Sequence, residues 1–341
     1  MKSRLLAWLR RRWLLVLVTI AFVVLVLLNL DEIGQLVTTL AQGQWEWLLA
    51  AGLLQLVYYL LLGVLYQSAF AIVQVESRLR ELIPVLFASV FVTPLAPTGG
   101  VSGAALFVDD AARHQQSPAR AAEGVLLVWV AQNVALLPIL ALGLAHLSAT
   151  NALPAYALVG SAIFVLLVAA LSGALLLGRW QAARLRGVLE WVQQTINRIA
   201  SRFRRRDALP VDWAETNACE FSNAASAIAT RPGQVGYTLG IALAHTLVNL
   251  ASLLAIFQAY RQPIAIGAAA AGFALAIVYA VISVLPLDVG LMQGIMAIVF
   301  TSVGVPLTTA LAVVIVFGGL NAWLPLAVGF AFLREVRSFG G

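Results

Sequence analysis

Asp288 is the only charged side chain between Arg261 and Arg334, in a stretch otherwise apolar enough to lie within a bilayer. An ionisable group at membrane depth is costly and marks a candidate site, here for a proton or a cationic headgroup. The plainer alternative places Asp288 at a membrane interface. A second constellation is Thr93-Pro94-Leu95-Ala96-Pro97-Thr98-Gly99-Gly100-Val101-Ser102-Gly103. Its glycines let a ligand approach the backbone, and the half-helix that follows offers amide groups to an anion. It matches no nucleotide-phosphate loop, but it breaks a helix decisively. Gly290 and Gln293 follow Asp288 and extend that site.

Other polar residues stand inside apolar runs. Gln132 and Asn321 are candidates to line a shared cavity, or to act as interhelical glue. Trp323 either stacks on a ligand or packs. His245 and Asn249 share a helix face, but a lone histidine makes no metal site, so the structural reading is preferred. Asp109, Asp110, Arg113 and His114 read as a solvated helix end. Arg113 and Glu123, the latter at the start of a span, are second-rank site candidates. We find no nucleophile elbow, zinc motif or carboxylate-rich polyprenyl-phosphate motif, so neither an enzyme nor a cofactor or metal site is expected.

These residues are held by two segments that look like copies of each other. Pro97, Pro118 and Pro138 are spaced by 21 and 20 residues; Pro286, Pro306 and Pro325 by 20 and 19. Leu137-Pro138 with Gly143 answers Leu324-Pro325 with Gly329. Corresponding breaks in two halves of a membrane protein point to a transporter's binding site, because broken backbone in a bilayer must lie in protein or line a wet cavity.

The chain has 341 residues, 62% hydrophobic and only 11% charged, which excludes an ordinary soluble domain. The expected fold is an all-α polytopic membrane protein. Six full spans are expected at about 13–30, 47–72, 121–146, 154–178, 233–259 and 306–333. Two broken, re-entrant hairpins are expected at 82–110 and 264–303. The basic residues before Trp13 resemble a signal peptide, but the length of the apolar run favours an uncleaved first helix. With the N-terminus cytoplasmic, all of the 21 lysines and arginines except Arg261 fall on one side, and the C-terminus is cytoplasmic too. Asp31, Glu32 and Glu46 fall in the first outer loop. The repeats, 47–146 and 233–333, are then inverted, and their hairpin tips meet near the bilayer midplane.

Residues 179–231 form the one substantial polar segment. Apolar residues recur there at helical spacing among Arg184, Arg186, Arg198, Arg202 and Arg204 to Arg206. The 184–206 stretch reads as a basic amphipathic helix against anionic lipid headgroups, and no nucleic-acid partner is expected. The single cysteine, Cys219, excludes a disulfide framework.

At these motifs the chain resembles the lysylphosphatidylglycerol synthase/flippase transmembrane family, over most of its length. The resemblance rests on Thr93 to Gly103 with Ser117-Pro118, on Leu285-Pro286-Leu287-Asp288-Val289-Gly290, and on Gly304-Val305-Pro306 with Asn321-Ala322-Trp323-Leu324-Pro325. It implies movement of lipid between leaflets, in the best-known members an aminoacylated phosphatidylglycerol; those members carry a soluble aminoacyltransferase domain, and this chain is expected to be the membrane unit alone. The chain departs from the family pattern at several charged positions. Ala104 and Ala105 stand where an acidic residue is usual, Leu287-Asp288 replace two glycines, and Gln293 takes the approximate place of a glutamate. Trp129 and Gly318 stand near the family's span arginines. The expectation is a bacterial inner-membrane carrier of a phospholipid or isoprenoid-type lipid, with altered headgroup preference. The alternative is a non-catalytic accessory subunit of a lipid- or glycan-modifying enzyme. A homo-oligomer or an enzyme partner stays open.

Overall fold

The computed structural model describes residues 30–95, 101–180, 230–283 and 289–332, with isolated positions between 187 and 226. All regular structure among them is helical. In chain order the helices are α1 (Leu30–Leu40), α2 (Trp45–Ile72), α3 (Leu79–Leu95), α4 (Val101–Arg113), α5 (Pro118–Ala149), α6 (Ala155–Trp180), α7 (Pro232–Ala259), α8 (Ile266–Ile282), α9 (Val289–Ser302), α10 (Leu307–Gly318) and α11 (Leu324–Phe332). A π-bulge, Gly319–Trp323, joins α10 to α11.

Five helical stretches are long and apolar enough to cross a membrane: Trp45–Ile72, Pro118–Ala149, Ala155–Gly173, Pro232–Ala259 and Leu307–Gly329. They stand where the sequence placed spans 47–72, 121–146, 154–178, 233–259 and 306–333. The expected first span, 13–30, lies outside the described residues but for Leu30. The basic 184–206 stretch is also largely outside them, although Gly187, Glu190, Trp191, Gln193, Gln194 and Asn197 are helical. The segment read as the first outer loop is partly helical: Asp31 and Glu32 begin α1, whose Leu36 and Leu40, at one-turn spacing, pack onto the core, Leu36 against Gly319.

Both proline-broken segments are helical pairs. α3 and α4 run antiparallel: Gly103 packs on Ser89 and Thr93 near the break, while Glu81 and Leu82 share a cleft with Asp110 and His114 at the other end. α8 pairs with α9 through Gly272 and Phe300. The breaks themselves, 96–100 and 284–288, lie outside the described residues.

The helix pairings are reciprocal. α2 packs along α7, antiparallel, with Ser252 Oγ donating to the Ala51 carbonyl at one end and Arg231 Nη1 to the Ala71 carbonyl at the other. α8 packs on α5, and α3 packs on α11. Each of these last two contacts is closed by a glycine. A Cβ on Gly143 would lie 2.6 Å from the Ala271 nitrogen and Cα, and one on Gly329 would collide with the Phe87 carbonyl. Lipid tails are as apolar as leucine, so such helices are held by close packing over small residues rather than by escape from water. Ala268 to Ala271 and Gly272 on α8, all buried, supply that surface, while Leu53, Leu56 and Leu60 on α2 stay exposed, the pattern expected of a lipid-facing side.

Helix ends repeat as well. Gln74 after α2 and Arg261 after α7 adopt φ of 59° and 54°, and each is followed by an amide that reaches back to the carbonyl five residues earlier: Val75 to Phe70 and Gln262 to Phe257. Gln115 after α4 (φ 59°) and Gly304 after α9 (φ 89°) close their helices in the same way. This left-handed cap favours glycine, and three of these four positions lack it. Gln74→Gly and Arg261→Gly should therefore each raise stability by about 0.5–1 kcal/mol, read as melting temperature in detergent; unchanged or lower values would contradict the strain.

Candidate functional site

The π-bulge sets the geometry. One extra residue per turn loosens the helical ladder, and such bulges recur at functional sites. Here it leaves the Asn321 backbone carbonyl accepting from the Tyr59 hydroxyl at 3.2 Å. The Asn321 side chain is turned toward α2 and α7. Its Oδ1 accepts from Gln55 Nε2 at 2.9 Å and from Asn249 Nδ2 at 3.3 Å, and its Nδ2 donates to the Phe317 carbonyl at 3.0 Å.

A few ångströms along α7, His245 Nδ1 lies 3.2 Å from the Tyr58 carbonyl, and Nε2 lies 3.2 Å from Gln132 Nε2. A carbonyl only accepts, so Nδ1 carries the proton. In the neutral ring Nε2 then accepts from the Gln132 amide. The imidazole also stacks on the Tyr58 ring, with centroids 4.1 Å apart.

These groups surround a cavity of about 340 Å³ at the junction of α2, α5, α7, α8, α9 and the bulge. Tyr58, Gln132, Asn133, His245, Asn249 and Asn321 give it a polar side, and Phe273, Ile277, Met292 and Phe317 an apolar one. Trp129 is the one exposed residue of the lining. Among the described residues the lining carries no Asp, Glu, Lys or Arg. Val281 and Met292 come from either side of the second hairpin's break. The arrangement can therefore hold a molecule that is polar at one end and apolar at the other.

The sequence-derived candidates divide clearly. Gln132 and Asn321 line this cavity together, and His245 and Asn249, given a structural role from sequence, line it with them. Trp323 is half-buried against the core of the first hairpin and does not line it. Gln293 lies against Gly318, where a Cβ would meet its amide, so two departures from the family pattern are neighbours in space. Gly103 closes the packing between α3 and α4, while Gly290 is exposed with open space around it. Ser102 lies in the first turn of α4. Pro97, Thr98, Gly99, Gly100 and Asp288 lie outside the described residues. Glu123 is buried on α5. Arg113 Nε pairs with Asp109 Oδ2 at 2.9 Å across one exposed turn. Gln55, Tyr58 and Tyr59 were not singled out from the sequence, where they read as interruptions of an apolar run.

A second, smaller cleft opens at the base of the first hairpin, between Glu76, Arg78, Glu81, Asp110 and His114. Desolvation there raises the pKa of Asp110, with His114 opposing the shift and Glu81 adding to it. A raised carboxyl pKa favours the fold below the ordinary carboxylate range, and that contribution is lost as pH rises through the folded value. Asp110→Asn should thus be the more stable protein at neutral pH, with the margin vanishing on acidification. Parallel melting curves at all pH values would contradict this.

No group of three or more His, Cys, Asp or Glu among the described residues is placed to hold a metal ion. No curated protein matches the chain, and no solved structure matches it. The family model described as the lysylphosphatidylglycerol synthase TM region matches residues 13–329. With nearly its whole length matched, the chain belongs to the lysylphosphatidylglycerol synthase transmembrane-region family.

Proposed function

We propose that this multi-pass membrane protein carries a lipid between the leaflets of the bacterial cytoplasmic membrane, by way of the cavity around Asn321. The observation that carries the reading is a polar-lined cavity, without Asp, Glu, Lys or Arg among its described residues, built by both halves of an otherwise apolar bundle. The polar side takes the headgroup, and the apolar side, with the lipid-facing helices around it, takes the chains.

The two halves are read as inverted repeats, which suits alternating access around a fixed site. Three features support this. α2 and α7 run antiparallel. Tyr58 and His245, which stack on each other, occupy the same position counted from Trp45 and Pro232. The same left-handed caps close corresponding helices. The α3–α4 and α8–α9 pairs are then re-entrant hairpins, with the chain termini and the basic 184–206 stretch on the cytoplasmic side. Asp288, next to the cavity in sequence, is the candidate for proton coupling.

The test is movement of a nitrobenzoxadiazole-labelled phospholipid in reconstituted vesicles, read by its reduction with external dithionite. Wild type should expose the inner-leaflet label faster than empty vesicles. Met292→Trp, which fills the cavity, should slow that exposure at least fivefold without lowering the melting temperature. Wild type no faster than empty vesicles would remove the carrier reading and favour an accessory subunit, to be sought by co-purification with an enzyme.

A further inference from the structure

The hydrogen bonds around Asn321 permit one arrangement of the amides. Asn321 Nδ2 donates to the Phe317 carbonyl, which fixes Oδ1 toward Gln55 and Asn249. Both neighbours must then present their nitrogens to it, because the flipped amides would set oxygen against oxygen. Their own oxygens point elsewhere. Gln55 Oε1 and Asn249 Oδ1 are buried without a hydrogen-bond partner, and Gln55 and Asn249 are 0% and 7% exposed. The Thr246 hydroxyl donates to the Ala242 carbonyl, so the oxygen it leaves in the lining is an acceptor too. Of these residues Asn249 and Thr246 line the cavity, so the network ends there in acceptors, and a buried acceptor without a donor is costly.

We infer that the cavity selects an uncharged headgroup that donates hydrogen bonds through hydroxyls, as a glycosyl or other polyol lipid does. The ligand's O–H groups satisfy Asn249 Oδ1 and the Thr246 oxygen, and the Tyr58–His245 stack presents an apolar wall beside them. An ammonium headgroup donates as well; the described lining offers it no carboxylate to offset its lost hydration, and Asp288, outside the described residues, is the group through which an ammonium preference would arise, so phosphatidylethanolamine is the competitor that decides the class. A choline headgroup has no donor. The inference rests on the reading of this cavity as a lipid site, and names the class of lipid.

The experiment is retention of defined lipids by the full chain in nanodiscs, read by native mass spectrometry. Monoglucosyl-diacylglycerol, phosphatidylethanolamine and phosphatidylcholine are offered in equal amounts with matched acyl chains. Wild type should retain the glucosyl lipid at least tenfold over phosphatidylcholine and above phosphatidylethanolamine. Asn249→Leu should reduce the first ratio to threefold or less. Equal retention of the glucosyl lipid and phosphatidylcholine by wild type overturns the need for a donor. Preference for phosphatidylethanolamine overturns the uncharged class. The wild-type comparison decides the matter even if Asn249→Leu folds poorly. Retention is read without translocation, so selective binding with no movement in vesicles would sink the carrier reading alone, and movement without selectivity the headgroup inference alone.

Discussion

Gly143→Val should unfold the bundle at a markedly lower temperature than wild type. Gly143 sits where α5 crosses α8, and even the first side-chain carbon there would lie 2.6 Å from the Ala271 nitrogen and Cα and 3.0 Å from the Ala270 carbonyl carbon. Those atoms are backbone inside a helix, so no side chain can swing away and the helices must separate. Overpacking typically costs about 1–3 kcal/mol, and a backbone obstacle with a branched side chain puts this variant at the upper end. Separation also forfeits contacts along a run of buried alanines, from Ala268 to Ala271. Gly329→Val should behave alike, because its side chain would enter the Phe87 carbonyl on α3. Gly52→Ala and Gly240→Ala are the controls, with open space around both positions. They should match wild type or exceed it, since alanine is the better helix former by about 1 kcal/mol. The measurement is thermal unfolding in detergent; Gly143→Val melting with the controls would mean that the α5–α8 contact is looser than described.

Asn321→Leu should be the most damaging substitution of a polar residue. It removes the acceptor shared by Gln55 and Asn249 while leaving both amides buried. Each orphaned donor costs about 1–3 kcal/mol, although hydrogen bonds between membrane helices often measure below 1 kcal/mol. A combined loss of about 2 kcal/mol is expected, with labelled-lipid movement falling more than tenfold because the bulge no longer fixes the cavity wall. The double variant Gln55→Leu, Asn321→Leu should recover part of the stability, since it removes a donor together with its acceptor. It should not recover lipid movement. Strictly additive losses in melting temperature would show that the two side chains do not depend on each other.

The hairpins illustrate what is legible in one dimension. Prolines and glycines at matched intervals pointed to two interrupted segments because these residues deny a helix its ladder wherever they fall, and each segment contains a pair of packed helices, α3 with α4 and α8 with α9. Apolar runs of membrane length likewise marked five spans. Helix α1 was less visible, because Asp31 and Glu32 at its start read as part of an outer loop and its helical packing shows only in Leu36 and Leu40 against the core. Among polar residues, Gln132 and Asn321 stood out by their matched places in the two segments. Gln55 did not, since a single glutamine in an apolar run looks the same whether it faces a cavity, a neighbouring helix or an interface.

The sequence by itself determined that this is a helical membrane protein, where five of its spans lie, and which family it resembles. These follow from local chemistry: the cost of charge and of unpaired backbone in a bilayer acts residue by residue. Only the tertiary structure decided which polar residues share a cavity. Gln55 and Asn321 are 266 positions apart, and His245 meets Gln132 across 113. Such meetings depend on how each helix is rotated about its axis. That rotation is set by close contacts such as Gly143 on Ala271, and by one added residue in the turn that carries Asn321.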